Sequence, residues 1–140
     1  MNTILKTECN LSELNKITTK LAKTSKPNDI YLLKGSLGVG KTTFTRFFIN
    51  SIFEKNTVLK PISIKSPTFP ILINYSILDY EINHYDLYRI EKHQDLLEIG
   101  LFDSFENNIT IIEWPEIFVN NFNIKDYFLI EFEFINLNKR

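Results

Sequence analysis

The sequence predicts an α/β fold of three layers, a mixed parallel and antiparallel sheet flanked by helices. Three observations carry the prediction. A short apolar run at residues 29–34 leads straight into a glycine-rich turn and then a helix-spaced phenylalanine series. Residues 69–77 and 80–90 form two strand-like segments separated by a short turn, as in a hairpin. A second apolar run, residues 109–114, is followed by a proline-led helical stretch. Strand–helix units call for parallel pairing and the hairpin for antiparallel pairing, so the sheet is mixed.

Taken in order, residues 3–8 read as a short strand. Asn10-Leu11-Ser12-Glu13 has the form of a capping box, in which Asn10 accepts a backbone N–H and Glu13 reaches back. Leu11, Leu14, Ile17, Thr18 and Leu21 follow at helical spacing and predict a helix ending near Lys23, ahead of Pro27. Residues 29–34 are a buried strand. Phe44, Phe47, Phe48, Ile52 and Phe53 then share one face of a helix. Residues 54–67 read as a long loop, with no glycine to close the helix before it. The hairpin turns near Asp79. Residues 93–100 form a short helix stopped by Gly100, residues 109–114 a buried strand, and Pro115 opens a helix. Residues 127–135 alternate and close the sheet.

The chain has 140 residues, which suits a single domain over 1–140. A domain of this size buries roughly 68–70% of its unfolded surface. The net charge of −1 leaves no electrostatic footprint for direct nucleic-acid binding. Cys9 is the only cysteine, which excludes an internal disulfide and a cysteine-based zinc site. The first residues lack the apolar core of a signal peptide, and no apolar run nears the roughly 18 residues of a membrane span. The expected location is the cytoplasm.

The glycines are concentrated where chemistry needs them. Gly35-Ser36-Leu37-Gly38-Val39-Gly40-Lys41-Thr42 satisfies G-x-x-x-x-G-K-[ST] in full, between a strand and a helix. Glycines let the backbone N–H groups of residues 38–43, among them Gly38, Val39, Gly40 and Thr43, turn inward around a phosphate. The helix N-terminus adds its positive end to that cradle. Lys41 is placed for the β- and γ-phosphates and the Thr42 hydroxyl for Mg²⁺. The plain alternative is a tight turn with an incidental lysine, but strand before and helix after are the context a P-loop requires. Residues 123–126 read Asn-Ile-Lys-Asp, not the Asn-Lys-x-Asp that reads guanine, so ATP is the expected nucleotide.

Three further groups are polar in places that invite function. Strand parity puts His84, Asp86 and Tyr88 on one face, which is either a cleft wall or a solvated face; a His-x-Asp metal pair there has no supporting cluster. Glu113 and Trp114 end the apolar strand 109–114, where a carboxylate beside a P-loop handles Mg²⁺ or an attacking water. Ser66 and Thr68 flank Pro67 in a loop that could equally be an ordinary turn into a strand.

In order and spacing, the segments GSLGVGKTTFTR, SPTF, HYDLYR and EWPE resemble the bacterial TsaE (YjeE) family. That resemblance implies a P-loop NTPase-like fold that binds ATP and Mg²⁺ and hydrolyses ATP weakly when alone. It implies a role in forming threonylcarbamoyladenosine on tRNA, beside a TsaB–TsaD pair that contacts the tRNA. Family site residues carry over onto Lys41, Thr42, Asp86, Glu113 and Trp114, and Thr68 falls in a nucleotide-sensing loop. By charge, Lys41 meets phosphate, Thr42 and Glu113 hold the metal, and either Asp86 or Glu113 orients water. The loop between Phe53 and Ser66 is longer than the family pattern. Two rivals remain: a nucleotide-gated scaffold without turnover, and a small-molecule kinase. The kinase lacks support, since the arginines are Arg46, Arg89 and Arg140 and no lid insertion stands out.

Overall fold

The computed structural model describes residues 5–67, 71–124 and 126–136. In order they contain α1 (Leu11–Thr24), β1 (Ile30–Lys34), α2 (Lys41–Lys55), β2 (Leu72–Ile77), β3 (Tyr80–Asp86), α3 (His93–Glu98), β4 (Ile109–Glu113), α4 (Glu116–Asn121) and β5 (Phe128–Glu131). A 3-10 turn at Asp103–Phe105 precedes β4.

The strands form one sheet in the order β2-β3-β4-β1-β5. β3, β4, β1 and β5 run parallel, and β2 returns antiparallel to β3. Alternation along the strands splits the apolar side chains between two layers. Tyr31 and Leu33 of β1 and Ile109 and Ile111 of β4 pack with Leu14 of α1 and Phe44, Phe48 and Ile52 of α2. Their neighbours Ile30, Leu32 and Ile112 pack on the other side with Leu96 of α3 and Phe118 of α4. The predicted mixed sheet between two helical layers is the observed one.

The helix ends have identifiable causes. Asn10 caps α1, its side-chain oxygen accepting the Glu13 N–H at 2.9 Å. α2 closes without glycine. Thr57 takes the left-handed conformation (φ 54°), the Val58 N–H bonds Phe53 O at 3.0 Å, and the Thr57 N–H bonds Glu54 O at 3.0 Å. These are the paired bonds of a Schellman motif, formed here by a threonine. Lys55 ties this end to α1, donating to Ala22 O at 2.8 Å and Ser25 O at 3.0 Å.

Four boundaries differ from the sequence reading. Residues 5–8 lie outside the sheet and are exposed, with no apolar face to bury; residues 3 and 4 lie outside the described residues. β3 stops at Asp86 instead of running to residue 90, because the Asp86 carboxylate accepts the Tyr88 N–H at 3.0 Å and turns the chain. β5 ends at Glu131, since its partner β1 ends at Lys34. β2 begins at Leu72, and residues 69 and 70 lie outside the described residues.

Adjacent parallel strands β1 and β4 send the chain to opposite faces: β1 into α2, β4 into α4. Such a reversal opens a crevice at the carboxyl ends of the strands, where ligands bind in open α/β sheets.

Candidate active site

Between β1 and α2 the chain curls through residues 35–40. Gly35 is packed where no side chain fits: a Cβ there would stand 2.8 Å from Val39 Cγ1 and 2.9 Å from the Phe132 carbonyl oxygen. Gly38 has the opposite reason to be glycine. Its φ of +76° disfavours L side chains, while among the described residues no atom beyond its own chain neighbours lies within 4 Å of its Cβ position, so the loop is open there. Val39 is fully buried and anchors the loop in the α2-side core, its N–H donating to Ser36 O at 3.3 Å.

Lys41 opens α2 and points back into the loop. Its ammonium donates to the carbonyl oxygens of Gly35 and Ser36, the latter at 3.1 Å, and lies 3.8 Å from the centroid of the Trp114 ring. Only 5% of Lys41 is exposed. Burial pushes its ammonium below the usual lysine pKa, while the nearby charges of Glu113, Glu116 and Asp86 act the other way.

The carboxylates come from β3 and β4, whose register sets Asp86 opposite Glu113. Parity turns His84, Asp86 and Glu113 to the α2 side of the sheet, with Ile82 and Ile111 below them. The Thr42 hydroxyl donates to Glu113 Oε1 at 3.1 Å, and its distance to Oε2 is 3.4 Å. His84 Nε2 lies 2.9 Å from Glu113 Oε1. Both Asp86 oxygens are engaged, Oδ2 by the Ser66 hydroxyl at 3.1 Å and Oδ1 by the Tyr88 N–H at 3.0 Å. Glu113 (2% exposed) and Asp86 (7%) are both buried, which strengthens each of these contacts.

Trp114 is held in an uncommon conformation. Its φ is +56°, a strained value for a bulky residue, on the order of 1–3 kcal/mol. The Trp114 N–H bonds Leu33 O at 3.3 Å, and its ring meets Tyr88 with centroids 4.8 Å apart. The strained backbone thus sets the indole over Lys41 and against Tyr88.

Together these groups bound a cleft of about 350 Å³, lined by Leu37, Gly38, Gly40, Lys41, Thr42 and Thr43 on the loop side. Ser66, Asp86, Tyr88, Arg89, Glu113 and Trp114 line the other side. Of the residues singled out from sequence, Gly38, Gly40, Lys41, Thr42, Thr43, Asp86, Glu113 and Trp114 meet here. Val39 stands in the core beneath the loop, and Thr68 lies outside the described residues.

The family model described as threonylcarbamoyl adenosine biosynthesis protein TsaE matches residues 9–140. The chain belongs to the TsaE family. The Rickettsia felis protein called tRNA threonylcarbamoyladenosine biosynthesis protein TsaE is 37% identical over 131 residues, covering 94% of this chain and 73% of that protein. A TsaE of the same name from Rickettsia conorii is 43% identical over 105 residues, covering 75% of this chain and 57% of that protein. The matched stretch therefore spans little more than half of the Rickettsia conorii TsaE. A crystal structure of YdiB from Bacillus subtilis shares the fold, with a TM-score of 0.64 at 24% identity over 94% of this chain and 80% of that chain.

Two site contacts escaped the sequence reading. Strand parity sets His84 on the polar face of β3 without naming a partner, and it meets Glu113 because β3 and β4 are neighbours in this register. Tyr88, which strand parity sets beside His84 and Asp86, instead leaves the strand at the Asp86 turn and reaches the indole from a loop. The polar face His84-x-Asp86 was the available signal.

Proposed function

We propose that the chain binds ATP with Mg²⁺ in this cleft and hydrolyses it, as a component of threonylcarbamoyladenosine biosynthesis on tRNA that works with the TsaB–TsaD pair in the cytoplasm. The observation that carries the reading is the convergence of Lys41, an open glycine loop and the Thr42–Glu113 contact on one cleft at the sheet's reversal point. No described helix is long and apolar enough to cross a membrane.

Phosphoryl transfer asks the protein mainly for positioning and charge. The loop backbone and Lys41 neutralise phosphate oxygens. To do so, Lys41 exchanges the carbonyls of Gly35 and Ser36 for ligand oxygens, a move of its flexible tip alone. A hydroxyl beside a carboxylate is the hard-oxygen set that magnesium accepts, and Thr42 with Glu113 would hold the ion directly or through its waters. No group of three His, Cys, Asp or Glu that could hold a metal occurs among the described residues. That suits an ion that keeps several waters and leans on substrate phosphates. The bound ion would screen charge on the phosphates. Asp86, bonded by the Ser66 hydroxyl and the Tyr88 N–H, is assigned to holding the Ser66 loop to β3, and Glu113, beside the Thr42 hydroxyl, to orienting water.

ATP hydrolysis by the purified chain, with and without its host's TsaB–TsaD pair, tests this. The expected result is slow turnover alone, stimulation by the pair, and loss of the stimulated rate in Lys41→Ala at unchanged fold. An undiminished rate in Lys41→Ala removes the P-loop from the mechanism. ATP and the pair bound without stimulation would favour the nucleotide-gated scaffold.

A further inference from the structure

Behind the lining of the cleft, in contact with Glu113, stands a group to which the proposed hydrolysis assigns no work. His84 is 0% exposed, in the middle of β3, among isoleucines. Its Nε2 lies 2.9 Å from Glu113 Oε1, and its Nδ1 is buried with no hydrogen-bond partner among the described residues. A buried polar atom without a partner is costly, so a histidine here needs a reason that leucine would not supply.

The unpartnered Nδ1 bears on which nitrogen of the neutral ring carries the proton. With the proton on Nε2, His84 donates to Glu113 and leaves Nδ1 a bare lone pair. With the proton on Nδ1, an N–H would be orphaned in the core and two acceptors, Nε2 and Oε1, would face each other at 2.9 Å. The first arrangement is the favourable one. It also divides the work of the Glu113 carboxylate. Oε1 takes the Thr42 hydroxyl at 3.1 Å and His84 at 2.9 Å, while Oε2 keeps only the longer 3.4 Å distance to Thr42. Oε2 is therefore the oxygen with capacity left for a water.

We propose that His84 is the positioning residue for Glu113: its Nε2–H pins Oε1 so that Oε2 is presented to water at the phosphate end of the cleft. His84 touches no substrate. It acts through Glu113, as a histidine–carboxylate partner behind a working group does, where loss of such a partner costs about 10–100-fold. This rests on the hydrolytic reading given above.

Three measurements test it. Long-range proton–nitrogen NMR of histidine-labelled protein, with His93→Gln to remove the other histidine, reads the His84 tautomer directly; Nε2-protonated is expected, and Nδ1-protonated overturns the contact. In partner-stimulated hydrolysis, His84→Leu is expected to lower kcat about 10–100-fold with KM for ATP unchanged. His84→Gln, whose amide N–H stands where Nε2 stood, is expected to recover most of that loss. Full turnover in His84→Leu, or a His84→Gln no better than leucine, overturns the positioning role. Fluorescent ATP-analogue binding and thermal melting separate both variants from a folding defect, and the tautomer is read on a chain that keeps His84. If the wild-type chain shows no stimulated hydrolysis, or Lys41→Ala keeps it, the hydrolytic reading falls together with His84's part in it. A Nδ1-protonated ring beside intact hydrolysis sinks the His84 proposal alone.

Discussion

The two faces of this sheet are built from the same strands and do different things. On the α3–α4 side, Phe102, Phe105, Phe118 and Phe122 form a continuous aromatic cluster, with ring centroids 4.7–6.0 Å apart. On the α1–α2 side, the same strands begin apolar and finish polar. Ile82 gives way to His84 and Asp86 along β3, and Ile109 and Ile111 give way to Glu113 along β4. One face is packed to its end. The other gives up its last layer of packing so that buried charge can stand at the mouth of the P-loop. Stability and chemistry are thus divided by strand parity, and a substitution on one face should leave the other's property in place.

The largest expected effect breaks the packed face. Phe118 is fully buried at the centre of the aromatic cluster. Phe118→Ala is expected to cost about 3–5 kcal/mol in chemical denaturation. The residual folded protein should still bind a fluorescent ATP analogue, because no residue of that cluster lines the cleft. Lost binding at full folding would show that the two faces are coupled.

How far the sequence revealed this division follows from the range of each signal. The P-loop is local: eight consecutive residues specify it, and its glycines, lysine and threonine stand where the pattern put them. The hairpin and both buried strands of the β-α-β core were also legible, because period and turn residues lie within each segment. The end of β3 was not, since one side-chain bond from Asp86 to the Tyr88 N–H overrode the alternation. The close of α2 was not, because Thr57 adopts a conformation usually left to glycine. The His84–Glu113 contact was out of reach for a different reason. It joins residues 29 apart in sequence and depends on strand order, which no local pattern encodes.

The next effect sharpens the polar face. Lys41→Met keeps the length of the side chain and removes its charge. It should lower partner-stimulated hydrolysis about 10²–10³-fold, the scale of losing one preorganised charge-stabilising group. It should also change how stability varies with pH. Burial lowers the Lys41 pKa in the folded chain, so between that value and the unfolded 10.5 the unfolded state binds more protons. Wild-type stability then gains with rising pH in that window, and Lys41→Met lacks this gain. Above about pH 10 the buried Tyr31, Tyr75 and Tyr85 and the partly buried Tyr80, all raised by desolvation, act in the opposite sense. They are present in both proteins and cancel in the difference. Parallel denaturation curves of the two proteins from pH 7 to 10.5 would contradict the burial cost.

The smallest effect separates the two carboxylates of the polar face. Glu113 is bonded by Thr42 and His84, side chains of α2 and β3, whereas Asp86 is bonded by Ser66 from the loop before β2 and by the Tyr88 N–H. If Asp86 is a tether and Glu113 the working group, removing the Ser66 hydroxyl should be felt as loop order more than as lost chemistry. Ser66→Ala is expected to cost about 0.5–1.5 kcal/mol, the net worth of one hydrogen bond. It should raise protease or hydrogen-exchange susceptibility of residues 58–67 and leave kcat within a few-fold of wild type. The Tyr88 N–H still holds Oδ1, so β3 should end where it does now. A kcat loss as large as that of Lys41→Met would instead put Asp86 in the chemistry, because its orientation would then matter as much as the charge that binds phosphate.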